Sequence, residues 1–144
     1  MTPVIDHIQI TVKDLNMAEP FYDKFLPLLG FDISNKISAI IEDHDFQVIE
    51  YTHPLLAFAI TSPRKIFAGD MIHRRKPGSL HHIAFKVESK DEVDRLYREL
   101  QKIGATIVNK PKFYPEYGPG YYAIFFKDLE GIKYEFVCNN VEIR

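Results

Sequence analysis

The chain has 144 residues, 46% of them hydrophobic, which is enough to bury a core and short enough for one compact domain. A net charge of −2 excludes an overall basic surface for nucleic acid, and no apolar run approaches the ~20 residues that span a bilayer. We therefore expect neither nucleic-acid nor membrane partners. The chain has a single cysteine, Cys138, which excludes an internal disulfide and is typical of a cytoplasmic protein. Cys138 alternates with core-type residues, so we expect it to be a small buried side chain and not a nucleophile.

The first half of the chain predicts one strand, one helix and three further strands. Alternating side chains predict a strand at residues 4–12, whose polar face carries His7, Gln9 and Thr11. A helix is predicted with Asn16 as N-cap and Glu19 at its third position, and Pro27 would end or kink it. The later strands are predicted at about residues 31–41, 46–51 and 55–61.

The second half repeats this plan after a linker. Residues 62–79 are rich in proline and glycine, and we interpret their basic run at 73–76 as a solvated loop. A strand at 80–87 precedes a helix that has Ser89 as N-cap, Glu92 as capping-box partner and Gly104 as its stop. The last strands are predicted at about residues 105–109, 121–127 and 132–138, with the loop FYPEYGPGYY between the first two.

An internal repeat connects the two halves. DHIQITV at residues 6–12 returns as HHIAFKV at 81–87, and each copy is followed by an amphipathic helix that a glycine closes. Such a repeat predicts duplicated structural units. We expect an α+β fold in which two tandem βαβββ modules form a concave, barrel-like mixed sheet with the helices outside. Module one would cover about residues 1–61 and module two about residues 80–144.

Three polar residues occupy corresponding strand faces and are candidate metal ligands. The repeat pairs His7 with His82, and Glu135 lies on the polar face of the final strand. If the sheet is concave, these side chains converge, and two imidazoles with one carboxylate can bind a divalent transition metal while leaving positions for substrate or water. A buried, unpaired Glu would otherwise cost several kcal/mol. The predicted metal ligands are therefore His7, His82 and Glu135.

Nearby residues provide alternatives to this ligand set. Glu50 is another strand carboxylate, and His81 faces the apolar side, where it would pack or support a ligand. A register error of one residue would exchange His81 with His82. Aligning the final strands of the two modules places Phe58 opposite Glu135, so we expect three protein ligands and no symmetric fourth.

The two repeat copies, FYDKFLPLLGF and the ending FFKDLEGIKYEFV resemble the vicinal oxygen chelate superfamily, which includes glyoxalase I, bleomycin-resistance proteins and extradiol dioxygenases. The resemblance covers nearly the whole chain and implies a U-shaped cleft and a homodimer. It also implies that the metal, which could be Fe, Mn, Zn, Ni or Co, chelates two neighbouring oxygens of a small-molecule substrate.

Side chains around the implied cleft are candidates for contact with substrate. We assign Gln9, Tyr114 and Tyr121 to substrate binding and Tyr117 to catalysis, with the tyrosine-rich loop closing the cleft. The alternative is that the tyrosines only pack this loop onto the sheet.

Two functions follow from the resemblance. The first is a small cytoplasmic metal-dependent enzyme of the glyoxalase/dioxygenase type, which acts as a lyase, isomerase, transferase or dioxygenase. The second is a non-catalytic protein that binds a drug or another small molecule in the same cleft. Metal dependence distinguishes the two.

Overall fold

The computed structural model describes residues 1–140, in which each half of the sequence forms a βαβββ module. The chain divides into two compact units, Met1–Ile72 and His73–Arg144, and this boundary falls inside the segment predicted as a linker. Each unit contains one open, four-stranded mixed sheet, and neither sheet is a closed barrel. The predicted α+β class and two-module plan are confirmed.

In the first unit, one helix packs on one face of the sheet. The elements are β1 (His7–Thr11), α1 (Leu15–Phe25), β2 (Ile37–Ile41), β3 (Phe46–Thr52) and β4 (Ala57–Thr61). The strand order is β1-β4-β3-β2, with β1 parallel to β4 and the other pairs antiparallel. Tyr22 of α1 stacks on Phe58 of β4 with 6.0 Å between ring centroids, and both rings are fully buried. His7 and Gln9 therefore lie on the opposite, open face.

The start of α1 differs from the prediction. Asp14, not Asn16, is the N-cap, and its carboxylate accepts a hydrogen bond from the backbone N–H of Met17. Glu19 consequently takes no part in a capping box and forms an ion pair with Lys36 at 2.8 Å. The helix ends at Phe25, and a short 3-10 turn that contains Pro27 follows, as predicted.

The strand predicted at residues 31–41 is shorter in the structure. β2 begins only at Ile37, because residues 33–35 form a 3-10 turn. The carboxylate of Asp32 caps this turn by accepting the backbone N–H and the hydroxyl of Ser34.

The second unit has the same topology. Its elements are β5 (Ile83–Lys86), α2 (Lys90–Lys102), β6 (Thr106–Phe113), β7 (Tyr122–Lys127) and β8 (Lys133–Cys138). The strand order is β5-β8-β7-β6, with β5 parallel to β8. Ser89 caps α2 as predicted, but the side chain of Glu92 pairs with Arg95 and does not reach back to complete the capping box. The buried stripe of α2 consists of Val93, Leu96 and Leu100.

A tight turn fixes the start of β8. The buried carboxylate of Asp128 accepts the backbone N–H groups of Glu130, Gly131 and Ile132, each at 2.9 Å. This turn sets the register in which Glu135 follows. Cys138, at the end of β8, is buried and free, as expected. No helix within residues 1–140 is long and apolar enough to cross a membrane.

Candidate metal site

Glu135 is a buried carboxylate on the face of its sheet that is opposite α2. It lies between Ala84 of β5 and Phe125 of β7, and it is only 2% exposed. The hydroxyl of Tyr121 donates a hydrogen bond to Oε1 at 2.5 Å, and Nε2 of His82 lies 3.3 Å from Oε2. Each carboxylate oxygen therefore has a partner, as a buried charge requires.

His82 is oriented by a short chain of polar groups. Its Nδ1 lies 2.7 Å from Nδ1 of His81, whose Nε2 lies 3.2 Å from a guanidinium nitrogen of Arg74. A guanidinium can only donate, so the neutral His81 accepts at Nε2 and donates from Nδ1 to His82. Desolvation and the nearby charges of His82 and Arg74 lower the pKa of His81, which favours this neutral form. In this tautomer, the Nε2 proton of His82 faces Glu135.

The His82–Glu135 pair has the spacing of two metal ligands. Two donor atoms that each lie about 2.0–2.2 Å from one metal ion, at an angle of about 90–110°, are separated by about 2.8–3.6 Å. The observed separation of 3.3 Å between Nε2 and Oε2 matches this value. The spacing of this imidazole and carboxylate would therefore suit a divalent cation that displaces the Nε2 proton.

His7, the third predicted ligand, is exposed at the start of β1 in the first unit. Its Nδ1 lies 2.7 Å from a carboxylate oxygen of Asp6, so Nδ1 donates the hydrogen bond to this carboxylate. Metal-bound histidines commonly have this arrangement. Among residues 1–140, no three His, Cys, Asp or Glu side chains form a group that could hold a metal ion. The structure thus brings together His82 and Glu135, while His7 belongs to the other unit.

The strand registers correct the alignment of the two modules. Gln9 pairs with Ala59 in the first unit, as Ala84 pairs with Glu135 in the second. The counterpart of Glu135 is therefore Ala59, and the sequence alignment with Phe58 was wrong by one residue. The absence of a carboxylate at this position remains true. Glu50 is the cross-strand neighbour of Ala59 and is an exposed carboxylate on the open face.

The loop between β6 and β7 packs its tyrosines around Glu135 in different ways. Tyr114 is 5% exposed and contacts Phe125 edge to face at 5.4 Å, and its buried hydroxyl has no hydrogen-bond partner within the described residues. Tyr117 stacks on Tyr114 at 5.4 Å but remains 59% exposed. Burial and the carboxylate of Glu135 raise the pKa of Tyr121. The Tyr121 hydroxyl, which the sequence assigns to substrate, donates a hydrogen bond to Glu135.

Gln9, the remaining sequence-assigned residue, lines a cavity of about 450 Å³ in the first unit. Residues from β1, β3 and β4 and the chain after β4 form its wall, among them Gln9, Thr11, Phe46, Thr61 and Arg64. This volume is within the range of small-molecule sites. Gln9 shares its strand face with His7.

Two features of the site were missed in the sequence. Arg74 was interpreted as part of a solvated loop, but it contacts His81, and only the fold reveals this contact. Lys133 lies over the ring of Phe125 at 4.8 Å, next to the carboxylate. Its position two residues before Glu135 places it on the same strand face, a signal that was present in the sequence.

Known proteins are similar to this chain in sequence or in fold. The uncharacterized protein YqjT of Bacillus subtilis (strain 168) is 30% identical over 132 residues, which is 92% of this chain and 96% of that protein. The glyoxylase/bleomycin resistance protein/dioxygenase domain from Frankia sp. EAN1pec superposes with a TM-score of 0.76 at 22% identity, covering 97% of this chain and 99% of its own. For a glyoxalase/bleomycin resistance protein from Albidiferax ferrireducens T118, the TM-score is 0.63 at 23% identity, covering 92% and 96%.

The two structural likenesses establish the fold. The family model of the Glyoxalase/Bleomycin resistance protein/Dioxygenase superfamily matches residues 4–136. Because this match extends over most of both modules, the chain belongs to the Glyoxalase/Bleomycin resistance protein/Dioxygenase superfamily.

Proposed function

We propose that this protein is a small metal-dependent enzyme in which His7, His82 and Glu135 hold one divalent metal ion. The observation that carries the proposal is the 3.3 Å separation of His82 Nε2 and Glu135 Oε2, which suits two ligands of one metal. Fe, Mn, Co, Ni and Zn all accept two imidazoles and a carboxylate. The proposal covers lyase, isomerase, transferase and dioxygenase chemistry.

Neighbouring groups support the two ligands of the second unit. Tyr121 binds Oε1 of Glu135, so Oε2 is the oxygen directed at His82. His81 contacts Nδ1 of His82 and leaves Nε2 on the carboxylate side. Partners of this kind fix the orientation of metal ligands and affect their affinity. On the first unit, Asp6 has the corresponding role for His7.

When bound, the metal would supply a Lewis acid for two neighbouring oxygens of a small substrate. The protein's own groups would bind and orient that substrate. In this proposal, Gln9 contributes an amide beside His7, and Tyr117 contributes an exposed phenol at the edge of the aromatic loop. Tyr114 forms the floor under Tyr117, with the two rings stacked 5.4 Å apart.

The proposal includes a homodimer, which the resemblance to the superfamily implies, and His7 belongs to a different compact unit from His82 and Glu135. The three ligands would come from one chain or from two. It also includes a cytoplasmic location, in keeping with the single buried and free Cys138.

Metal analysis of the purified protein tests this function. Protein prepared without a chelator or a histidine tag should contain about one transition metal per chain, and Glu135→Gln should lose it. Glutamine has the shape of glutamate, so the hydrogen bond from Tyr121 can remain while the charge is removed. Glu50→Gln is the matched control, since it removes an exposed strand carboxylate, and it should retain the metal. Absence of metal in the wild-type protein, even after reconstitution with Mn(II), Zn(II) or Fe(II), contradicts the proposal.

A second candidate is a binding protein without turnover. It is favoured by the 450 Å³ cavity beside Gln9 and by the two partners that Glu135 already has in Tyr121 and His82. This candidate predicts ligand binding that does not change when metal is removed or when His82 is replaced by alanine.

A further inference from the structure

We propose that β2, the outer strand of the first sheet, pairs antiparallel with β2 of a second copy of this chain, across a two-fold axis at Ala39. The inference goes beyond the proposed function and requires no metal. It is carried by an unprotected strand edge whose free backbone groups and side chains match those of a second copy.

The outer edge of β2 has none of the features that usually protect such an edge. β2 ends the order β1-β4-β3-β2, and within residues 1–140 no strand pairs with its outer side. Its residues, Ile37–Ile41, include no charge and no proline, and they pair with β3 without a register shift. By contrast, β6, the outer strand of the second sheet, carries Lys110, Pro111 and Lys112 and has two register shifts. Charges, proline and bulges prevent pairing with another chain, so β6 is protected and β2 is not.

The backbone N–H and C=O groups of Ser38 and Ile40 point to this free edge. Gln47, the cross-strand neighbour of Ile40, uses its own N–H and C=O for hydrogen bonds to Ser62, on the side of the sheet away from β2. Bonded and non-bonded pairs alternate along an antiparallel ladder, so the residues that alternate with Ser38 and Ile40 are those that bond to β3. The edge therefore presents donors and acceptors that another strand can use.

A two-fold axis at Ala39 matches these backbone groups to those of a second copy. Ser38 then lies opposite Ile40 of the second copy, and each such pair exchanges both of its backbone hydrogen bonds. Ala39 lies opposite the Ala39 of the second copy in a non-hydrogen-bonded pair. A two-fold contact requires a surface that complements itself, and the backbone of β2 meets this requirement.

The side chains of β2 are also self-complementary. Ile37 and Ile41 are equally distant from Ala39, so the axis places isoleucine opposite isoleucine on one face of the joined sheet. On the other face, Ile40 lies diagonally across from Ile40 of the second copy. Ile37 and Ile40 are 59% and 69% exposed in the single chain, so pairing removes apolar surface from water.

The charges at the two ends of β2 favour a second copy over a strand of unrelated sequence. Lys36 precedes the strand and Glu42 follows it, so the same axis brings the lysine of each copy towards the glutamate of the other. Lys36 also has ion pairs with Glu19 and Asp23 in its own chain. We therefore expect the contact between copies to affect the register of pairing more than its affinity.

Cysteine cross-linking tests the predicted register. Opposed residues of a non-hydrogen-bonded pair have Cα atoms about 4.5 Å apart, a distance that a disulfide can bridge. Ala39→Cys should therefore form a covalent dimer on mild oxidation. Ile37→Cys is the matched control, because it lies on the same strand face but about 13 Å from its own copy, and it should cross-link at least about 10-fold more slowly. The wild-type chain should not cross-link, because Cys138 is only 1% exposed.

Sedimentation equilibrium at several protein concentrations tests the contact without a cross-link. Ile40→Lys removes an apolar contact and places like charges diagonally across the pair, so it should weaken self-association about 10- to 100-fold. Ile66→Lys is the matched control, since Ile66 is 81% exposed in the same unit but lies outside its strands, and it should leave self-association unchanged. Both substitutions are at exposed positions, so both variants should unfold at the thermal midpoint of the wild-type protein.

The outcomes separate this inference from the proposed function. Self-association that Ile40→Lys does not weaken, or equal cross-linking of Ala39→Cys and Ile37→Cys, overturns it. A wild-type chain that stays monomeric at every concentration also overturns it, even if the edge accepts a strand of another protein. None of the substitutions replaces a proposed metal ligand, so the metal content of the wild-type protein tests the proposed function independently.

Discussion

Removal of the Tyr121 hydroxyl should destabilise the second unit measurably. In Tyr121→Phe, Oε1 of Glu135 loses its donor at 2.5 Å, and the carboxylate is only 2% exposed, so water cannot readily replace the phenol. A hydrogen bond to a charged group contributes about 1.5–3 kcal/mol, and a buried acceptor left without its donor lies at the upper end of that range. We expect a loss of about 2–3 kcal/mol in the free energy of unfolding of the metal-free protein.

Urea denaturation followed by circular dichroism in the presence of a chelator measures this loss. With a urea dependence of about 1–3 kcal/mol per molar, the midpoint should fall by roughly 0.7–3 M. Tyr117→Phe is the matched control, since it removes a hydroxyl from an exposed tyrosine of the same loop, and it should change stability by less than about 0.5 kcal/mol. Equal effects of the two substitutions would refute the conclusion that the Tyr121 bond stabilises Glu135.

Three further predictions concern stability. Tyr114→Phe removes a buried hydroxyl that has no hydrogen-bond partner within the described residues, so the free energy of unfolding in urea titrations should stay constant or rise by up to about 1 kcal/mol. A decrease of about 1 kcal/mol in the free energy of unfolding would contradict this. Asp128→Ala leaves three backbone N–H groups of the β7–β8 turn without their acceptor and should lower the thermal midpoint by about 4–12 °C, whereas an unchanged midpoint would show that the turn does not depend on Asp128. Tyr51 donates a hydrogen bond to Asp23 at 2.9 Å, as Tyr121 does to Glu135, and burial together with these carboxylates raises the pKa of both tyrosines above the ordinary 10.0. Their contribution to stability is therefore complete below about pH 10, and each should lose roughly 1.4 kcal/mol per pH unit above it. Urea titrations that show no decline in the free energy of unfolding up to about pH 11 would contradict this.

The repeat was sufficient to predict the fold because it reports long-range symmetry. The recurrence of an apolar alternation with a histidine at the same place implied two equal modules, and the structure has two sheets of equal topology. The sequence did not predict the first residue of α1 correctly, because Asp14 and Asn16 are both residue types that favour the N-cap position. In the structure, α1 begins at Leu15, which is buried, and this makes Asp14 the N-cap. The sequence does not encode which of them the packing selects.

The sequence singled out His82 and Glu135, whose side chains the structure brings together, but not the side chains that contact them. Alternation placed His82 and Glu135 on one face, and their side chains lie 3.3 Å apart in the structure. The sequence alignment took Phe58 as the counterpart of Glu135, whereas the strand registers give Ala59. The error of one residue arose because Phe58 and Ala59 are both apolar, so the sequence does not show which of them faces the same side as Glu135. The bond from Tyr121 to Glu135 depends on how a loop folds over the sheet, and no local pattern reports this.

Anomalous X-ray diffraction from crystals of the metal-reconstituted protein tests the central claim most directly. We predict one peak per chain within about 2.0–2.3 Å of Nε2 of a His7, Nε2 of a His82 and a carboxylate oxygen of a Glu135. A peak bound by other side chains, or no peak at saturating metal with the Tyr121–Glu135–His82 contacts intact, would contradict the assignment of these residues as a metal site.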